Sequence, residues 1–398
     1  MLSEKSTATV RATLPAVGAA IGDITELFYT KLFEAHPELL RDLFNRGNQA
    51  AGLQKQALAG SIAAFAAHLM ERPDTRPDVM LHRIAHKHAS LGVTRAQYPV
   101  VRTHLFAAIA EVLGEAVTPE VAEAWDEVYW LMANALVAIE ERLYEGARVA
   151  AGDVWREWTV TDRTEETADC ATFRLAPADG APAPDFAPGQ YVSVQVTLAD
   201  GARQIRQYSL SSAPGSPVRA ITVKRVHGPA AAGPDGEVSG HLHAHVRPGD
   251  RLRVSVPYGD LVLRDTTAPL LLASAGIGCT PMLSMLEHLA DTGHDGPVTV
   301  VHADRSPADH ALAADHRALA GKLAGPEALF WYEEAPEPGD RAGRVDLTDV
   351  HVAPGTRVYL CGPLPFMRAV REQLLAKGVA AADLHYEVFG PDLWLAAG

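Results

Sequence analysis

The chain has 398 residues, enough for two or three domains, and its 47% hydrophobic and 21% charged residues are the balance of a soluble globular protein. A formal net charge of -14 argues against the basic face that a nucleic-acid or anionic-membrane partner would need. The three cysteines, Cys170, Cys279 and Cys361, form no CxxC pair, which disfavours zinc ribbons, cysteine-ligated iron–sulfur clusters and a disulfide framework. Met1 to Val10 lacks an apolar signal core and no run of eighteen apolar residues occurs, so a cytoplasmic protein with no obligate membrane partner is expected. In chain order, helical periodicity marks Ser3 to Ala20 and Ile21 to Ala35, weakly separated near Gly18 and Gly22, with a break at His36-Pro37. Helices over Ala50 to Met70, Pro77 to His88, Arg95 to Gly114 and Pro119 to Tyr144 follow, with Asp74, Thr94 and Thr118 as N-caps. Six or more helices and no strand signal predict an all-α domain.

The texture changes at the Gly-containing stretch Glu145 to Asp153. Short strands are expected at Trp155 to Asp162, Cys170 to Pro177, Tyr191 to Leu198, Ile221 to Val226 and Arg251 to Val256, spaced as in an antiparallel barrel. From Pro269 the pattern becomes α/β. Leu270 to Ala273 reads as a strand, Gly276 to Thr280 as a turn and Pro281 to Thr292 as a helix. Further strands at Val298 to His302, Leu329 to Tyr332 and Arg357 to Cys361 imply an open parallel sheet. The domain bounds read from this are 1–147, 152–264 and 268–398.

Three helices of the first part each carry a polar residue on or beside an apolar stripe. At 100° per residue, Leu81, Ile84, Ala85 and His88 share a face, which selects His88 over His82 and His86 as the inward histidine. Gln54 heads the stripe Leu58, Ser61, Ile62, Phe65, and Tyr29 flanks the stripe Ile21, Ile24, Thr25, Phe28, Leu32. One inward imidazole facing a hydrogen-bonding Tyr and Gln is the layout a five-coordinate haem requires. Taken singly, each residue reads first as a satisfied polar group of the core, and Glu140, beside Glu141, as part of a solvated face.

The region resembles the globin domain of flavohaemoglobins. The resemblance rests on Leu27-Phe28-Tyr29, His36-Pro37-Glu38-Leu39, Leu43-Phe44-Asn45, Gln54 to Leu58, Ile84 to Ser90 with Lys87-His88, and Gln97-Tyr98. It implies that His88 is the iron's proximal ligand, that Tyr29 and Gln54 grip bound O2, and that Leu58 and Phe44 line the haem. It also implies that Tyr98 and Glu140 are the partners of the ligand histidine.

The second part resembles ferredoxin-reductase-like proteins. Arg206-Gln207-Tyr208-Ser209 matches their FAD motif: the resemblance gives Arg206 a flavin phosphate, Tyr208 the ring and Ser209 the neighbourhood of N5. Pro188-Gly189-Gln190-Tyr191 matches the strand before it, and Val223-Lys224-Arg225 and Gly236-Glu237-Val238-Ser239 match segments that wrap the pyrophosphate. The loop 227–235 is longer than usual. Gly276-Ile277-Gly278-Cys279-Thr280-Pro281 resembles the family's NAD(P)H-binding turn, whose glycines and helix N-terminus suit a diphosphate. Cys361-Gly362-Pro363 matches a second nicotinamide element. Glu387-Val388-Phe389-Gly390-Pro391 matches a tail whose aromatic covers the flavin, with Val388 where the family often has Cys. Asp304 suits a ribose hydroxyl and Arg305 a 2′-phosphate; the reading leans to NADH over NADPH.

On these motifs the chain is identified as a flavohaemoglobin. The expected fold is multidomain: an all-α globin, a ferredoxin-reductase-like antiparallel β-barrel FAD domain and an α/β parallel-sheet NAD(P)-binding domain. The resemblance implies a nitric oxide dioxygenase that passes electrons from NAD(P)H through FAD to haem b and turns NO and O2 into nitrate, with Lys87 and Glu387 tuning electron transfer and a monomeric state. A gas sensor or carrier with an attached reductase, and a hydroperoxide or electron-acceptor reductase, are the alternatives.

Overall fold

The computed structural model describes residues 2–50, 52–72, 75–228, 235–264 and 266–390. Asp74, residues 229–234 of the long loop, and Pro391 lie outside them. Two compact units result: described residues 2–155 with 195–205, and 156–194 with 206–390.

The first unit is helical. Helix α1 (Glu4–Ala35) starts at Ser3, whose hydroxyl accepts the Ser6 N–H. The expected division near Gly18 and Gly22 is absent. Val10, Val17, Ile24, Phe28 and Leu32 form one buried stripe along the whole helix, and such packing outweighs the cost of about 1 kcal/mol for a glycine in a helix. His36-Pro37 does end it, and Pro37 opens α2 (Pro37–Asp42). The expected Ala50 to Met70 helix is two helices, α3 (Arg46–Ala50) and α4 (Leu53–Glu71), divided at Gly52, which takes a left-handed φ of 71°. Helix α5 (Asp78–Leu91) runs three residues past His88 to its cap at Gly92. A short 3₁₀ turn, in which the Gln97 side chain accepts the Thr94 N–H, precedes α6 (Tyr98–Leu113). The last helix, α7 (Pro119–Gly146), is capped by Thr118 as expected. Apolar stripes from α1, α4, α5, α6 and α7 merge into one core.

After the helices come β1 (Trp155–Glu165), β2 (Cys170–Pro177), β3 (Tyr191–Thr197), β4 (Arg203–Ser209), β5 (Arg219–Lys224), α8 (Glu237–His245) and β6 (Arg251–Ser255). The sheet order is β4-β3-β6-β1-β2-β5, and β2 pairs antiparallel with β1 and β5. Helix α8 was not expected from sequence: its nine residues open at the Gly236–Ser239 segment.

The α/β part comprises β7 (Leu270–Ala275), α9 (Cys279–Asp291), β8 (Val298–Asp304), α10 (Ala313–Leu323), β9 (Ala328–Tyr332), β10 (Arg341–Ala342), β11 (Arg357–Cys361), α11 (Leu364–Ala376) and β12 (Leu384–Glu387). All pairs in the order β10-β9-β8-β7-β11-β12 are parallel. All six residues of β7 are buried, as a strand covered on both faces requires. The chain runs outward from β7 through β8 to β10, then returns to β11 on the other side of β7, so the order reverses between β7 and β11. Open α/β sheets bind ligands outside the strand ends at such a point. Among the described residues no helix is long and apolar enough to cross a membrane.

Candidate functional site

Three long helices of the first unit converge on His88. Its Nδ1 lies 2.8 Å from Glu140 Oε1 and 3.2 Å from the Tyr98 hydroxyl, and Tyr98 donates to the same Glu140 oxygen at 2.6 Å. Burial, then the neighbouring Glu140, pushes the Tyr98 hydroxyl far above its ordinary value, so it keeps its proton and acts as donor. The Tyr129 hydroxyl holds the Tyr98 carbonyl at 2.7 Å and fixes the start of α6. With Nδ1 committed to Glu140, the lone pair of His88 sits on Nε2, which has no bond among the described residues. That donor set fits a haem iron.

Burial does not single out His88. His86 is the more buried, at 8% exposure, whereas the His88 side chain is 33% exposed. Burial alone would favour His86; the helical periodicity and the bond to Glu140 both select His88. Glu140 is 2% exposed and belongs to no solvated face.

Tyr29, on α1, is 4% exposed. Gln54 from α4 bonds its hydroxyl, and the Gln49 side chain from α3 lies against it too. Burial outweighs both and pushes the hydroxyl far above its ordinary value, so Tyr29 also remains an O–H donor. Gln49 Nε2 is buried with no hydrogen-bond partner among the described residues. The sequence reading missed Gln49, because a five-residue helix carries no periodic signal. The Phe44 ring meets Tyr29 edge-on at 5.8 Å, and Leu58 packs against the same core. Lys87 lies on α5 and Glu387 ends β12. An apolar cavity in this unit is lined by Ile24, Ile62, Phe65, Leu105, Trp125 and Val128, among others.

In the second unit, β4 carries the flavin motif. Arg206, Gln207 and Tyr208 are half-buried and Ser209 is buried. Gln207 donates to Ser193 Oγ at 3.0 Å. Ser209 Oγ is buried with no hydrogen-bond partner among the described residues, an orphan hydroxyl that fits a flavin acceptor. Tyr191 pairs its backbone with Tyr258. Just before it, Gly189 has φ 100°, and a Cβ there would lie 2.2 Å from the Leu261 carbonyl oxygen, so only glycine fits. Arg225 Nη2 lies 3.3 Å from His243 Nδ1 on α8.

The nicotinamide motifs meet at the reversal of strand order. Gly276–Gly278 is a 3₁₀ turn ending β7, and α9 begins at Cys279, two residues before the expected start at Pro281. Thr280 Oγ1 donates to the Ile277 carbonyl at 3.0 Å. A Cβ on Gly278 would fall 2.4 Å from the Cys361 carbonyl oxygen, so Cys361-Gly362 from β11 packs directly on this turn. Pro363 then leads into α11. Cys279 and Cys361 are buried, and burial raises both thiols above the ordinary value, which leaves neither a ready thiolate. In the tail, Glu387 is in register with Cys361, Val388 is buried and Phe389 is 46% exposed, with Gly390 after it.

At the end of β8 the Asp304 carboxyl is almost fully buried, and that burial raises it. Arg305 is paired with Asp309, Nε to Oδ2 at 3.0 Å. Beside Asp304, three histidines that the sequence reading did not connect lie together: His302, His310 and His316. The His302 and His310 rings stack at 3.9 Å and 25°. Two nearly parallel rings at that spacing cannot both aim an in-plane lone pair at one ion, so this is a hydrogen-bonded cluster. Arg317 donates to the Tyr332 oxygen at 3.0 Å, which leaves the Tyr332 O–H for His310 Nδ1 at 2.8 Å and His310 Nε2–H for His316 Nδ1 at 3.0 Å.

Known families match the chain in this order: globin over residues 26–136, oxidoreductase FAD-binding domain over 157–263, and oxidoreductase NAD-binding domain over 272–372. A flavohemoprotein of Bordetella pertussis is 44% identical over 98% of this chain and 99% of its own length. One of Rhizobium meliloti is 41% identical over 99% and 100%. The crystal structure of a flavohemoglobin from Malassezia yamatoensis, with bound FAD and heme, superposes with a TM-score of 0.89 at 36% identity, covering 98% of this chain and 100% of that one. The FAD/NAD-binding domain of a nitric oxide dioxygenase from Vibrio cholerae matches 59% of this chain and 99% of its own, with a TM-score of 0.55 and 36% identity. The globin order of helices, the flavin strand and the nicotinamide turn thus belong together: the chain is a member of the flavohaemoprotein family, a haem-binding globin joined to an NAD(P)H-dependent FAD oxidoreductase.

Proposed function

We propose that this protein is a nitric oxide dioxygenase that joins NO to O2 to give nitrate. The reading is carried by one observation: a buried, protonated Tyr29 held by Gln54 occurs in the same helical unit as the chain Tyr98–Glu140–His88. When bound, haem supplies an iron that activates a diatomic gas, and FAD converts the two-electron hydride of NAD(P)H into single electrons.

The chain's own residues do the rest. His88 Nε2 would hold the iron, and Glu140 accepts the Nδ1 hydrogen, which would make the imidazole a stronger donor. Tyr98 keeps the Glu140 oxygen fixed. Tyr29, with Gln54 at its hydroxyl, would donate its O–H to a bound gas and stabilise negative charge there, while Leu58 and Phe44 would keep the surroundings apolar. A carrier needs no such push and grip together.

In the reductase, Arg206, Tyr208 and Ser209 would hold FAD, with Gln207 and Tyr191 shaping its strand neighbours. The turn Gly276–Pro281, Cys361–Pro363 and the tail from Glu387 to Gly390 take the nicotinamide nucleotide and the flavin edge. Asp309 pairs with Arg305 and would keep it from a 2′-phosphate, which favours NADH. The working division is 1–147, 152–264 and 268–398.

Purified holoprotein supplied with NADH in air should consume NO rapidly, and anaerobic NADH should convert its spectrum to ferrous haem. If the haem becomes ferrous but NO consumption is negligible, the carrier reading replaces this one.

A further inference from the structure

Gln204 has no exposed surface yet carries a primary amide, so its donors and acceptor must be satisfied inside the protein. They are, and by one short stretch of the haem unit. Nε2 lies 3.4 Å from the Leu40 carbonyl oxygen, 3.0 Å from that of Arg41 and 3.2 Å from that of Phe44, so its two hydrogens are shared among three acceptors. Oε1 accepts the Arg46 N–H at 3.4 Å.

Helix α2 ends at Asp42, and the carbonyls of a helix's last turn have no partner within the helix. Leu40 and Arg41 own two of them. Phe44 and Arg46 flank Asn45, where the chain turns into α3. One side chain about 160 residues away in sequence therefore caps α2 and pins the start of α3. Arg203 to Asp42 and Arg46 to Asp200, both at 2.6 Å, flank it. These part-covered pairs brace the corner from its rim; the fully buried amide adds four hydrogen bonds inside it.

The corner matters for what it carries. Phe44 meets the Tyr29 ring edge-on and packs on Phe33 at 5.3 Å. Gln49 lies against the Tyr29 hydroxyl. Helices of six and five residues are too short to hold themselves in place, so the surroundings of Tyr29 depend on whatever holds the corner.

We propose that Gln204 is a positioning residue of the gas-binding pocket: by capping α2 and pinning α3 it fixes Phe44 and Gln49 against Tyr29, and so sets how firmly the Tyr29 hydroxyl holds a gas at the haem. This rests on the haem-pocket part of the dioxygenase reading and not on NO being the substrate. The globin is completed by a segment that lies outside its own family match.

The test uses the full-length holoprotein. Gln204→Met keeps length and removes all four hydrogen bonds. The readouts are the C–O stretching band of the reduced CO complex and the rate at which O2 dissociates. The variant should show a second or shifted CO band and several-fold faster O2 release. Its flavin content and NADH-driven ferricyanide reduction should equal those of the parent. In a Tyr29→Phe background the same substitution should change O2 release little, because its effect passes through the hydroxyl. Gln204→Glu, which keeps the acceptor for Arg46 N–H, should fall between Met and the parent, and gives the reading if the Met variant fails to fold. An unchanged CO band and O2 release overturn the proposal, as do equal effects with and without Tyr29, or loss of flavin alongside the pocket change. None of these readouts requires NO turnover, so failure of the dioxygenase reading is separately visible.

Discussion

The two sides of the proposed haem pocket are built by different means. His88, Tyr98 and Glu140 stand on helices of 14, 16 and 28 residues, and their mutual hydrogen bonds close on one carboxyl oxygen. The gas side is assembled from the end of α1, one face of α4 and the two shortest helices, with Gln204 as its fastener. A permanent ligand is thus held by long packed elements. The group that must admit, grip and release small molecules is held by pieces whose geometry a single hydrogen-bonding side chain can alter. Precision on one side and adjustability on the other follow from element length.

That contrast predicts a graded series of losses. Replacing His88 by alanine removes the only bond proposed to the iron: haem content should fall to background and NO consumption with it, while flavin stays bound, as absorption spectra of the purified variant will show. Tyr29→Phe removes one O–H from the gas side. NO consumption should drop by about 10²-fold, the scale of losing one preorganised donor, at unchanged haem content. Glu140→Gln preserves shape on the other side but weakens the pull on Nδ1–H. A loss of roughly 10-fold is expected, with a lowered iron–histidine stretching frequency that Tyr29→Phe leaves untouched. If Glu140→Gln costs more than Tyr29→Phe, the proximal partner dominates and the comparison reverses.

The smallest effect concerns stability and lies in the other unit. Burial holds His310 down to about 2 and His316 to about 3, and His302 well below the usual histidine range. Below about pH 6.5 the unfolded chain takes up protons there that the folded chain refuses. Stability is therefore fully present above that pH and declines as pH falls towards about 3. Thermal midpoints measured from neutral to mildly acidic pH should drop, and His316→Phe should flatten that dependence. An identical slope would place the acid sensitivity elsewhere.

Much of this was legible in the sequence because it repeats locally or by motif. The flavin strand, the nicotinamide turn and His88 are contiguous signatures, and Pro37 and Thr118 mark helix starts through local stereochemistry. What escaped depends on contacts distant in sequence. Glu140 was named through the family resemblance alone; its own neighbours in sequence read as a surface until Tyr98 and His88 are brought to it. Gln49 sits on too short a helix for periodicity. Gln204 lies two residues before the flavin motif and shows its role only against α2. Gly18 and Gly22 suggested a break that long-range packing of α1 overrides. The four-residue β12 and two-residue β10 exist because neighbouring strands offer edges.

The proposed reaction has a fixed stoichiometry. The most direct measurement is the nitrate formed per NO consumed when purified holoprotein turns over NADH in air. One nitrate for each NO, with two NO consumed per NADH, is the expected result. NADH oxidation at the same rate with and without NO, and no nitrate above background, would contradict it.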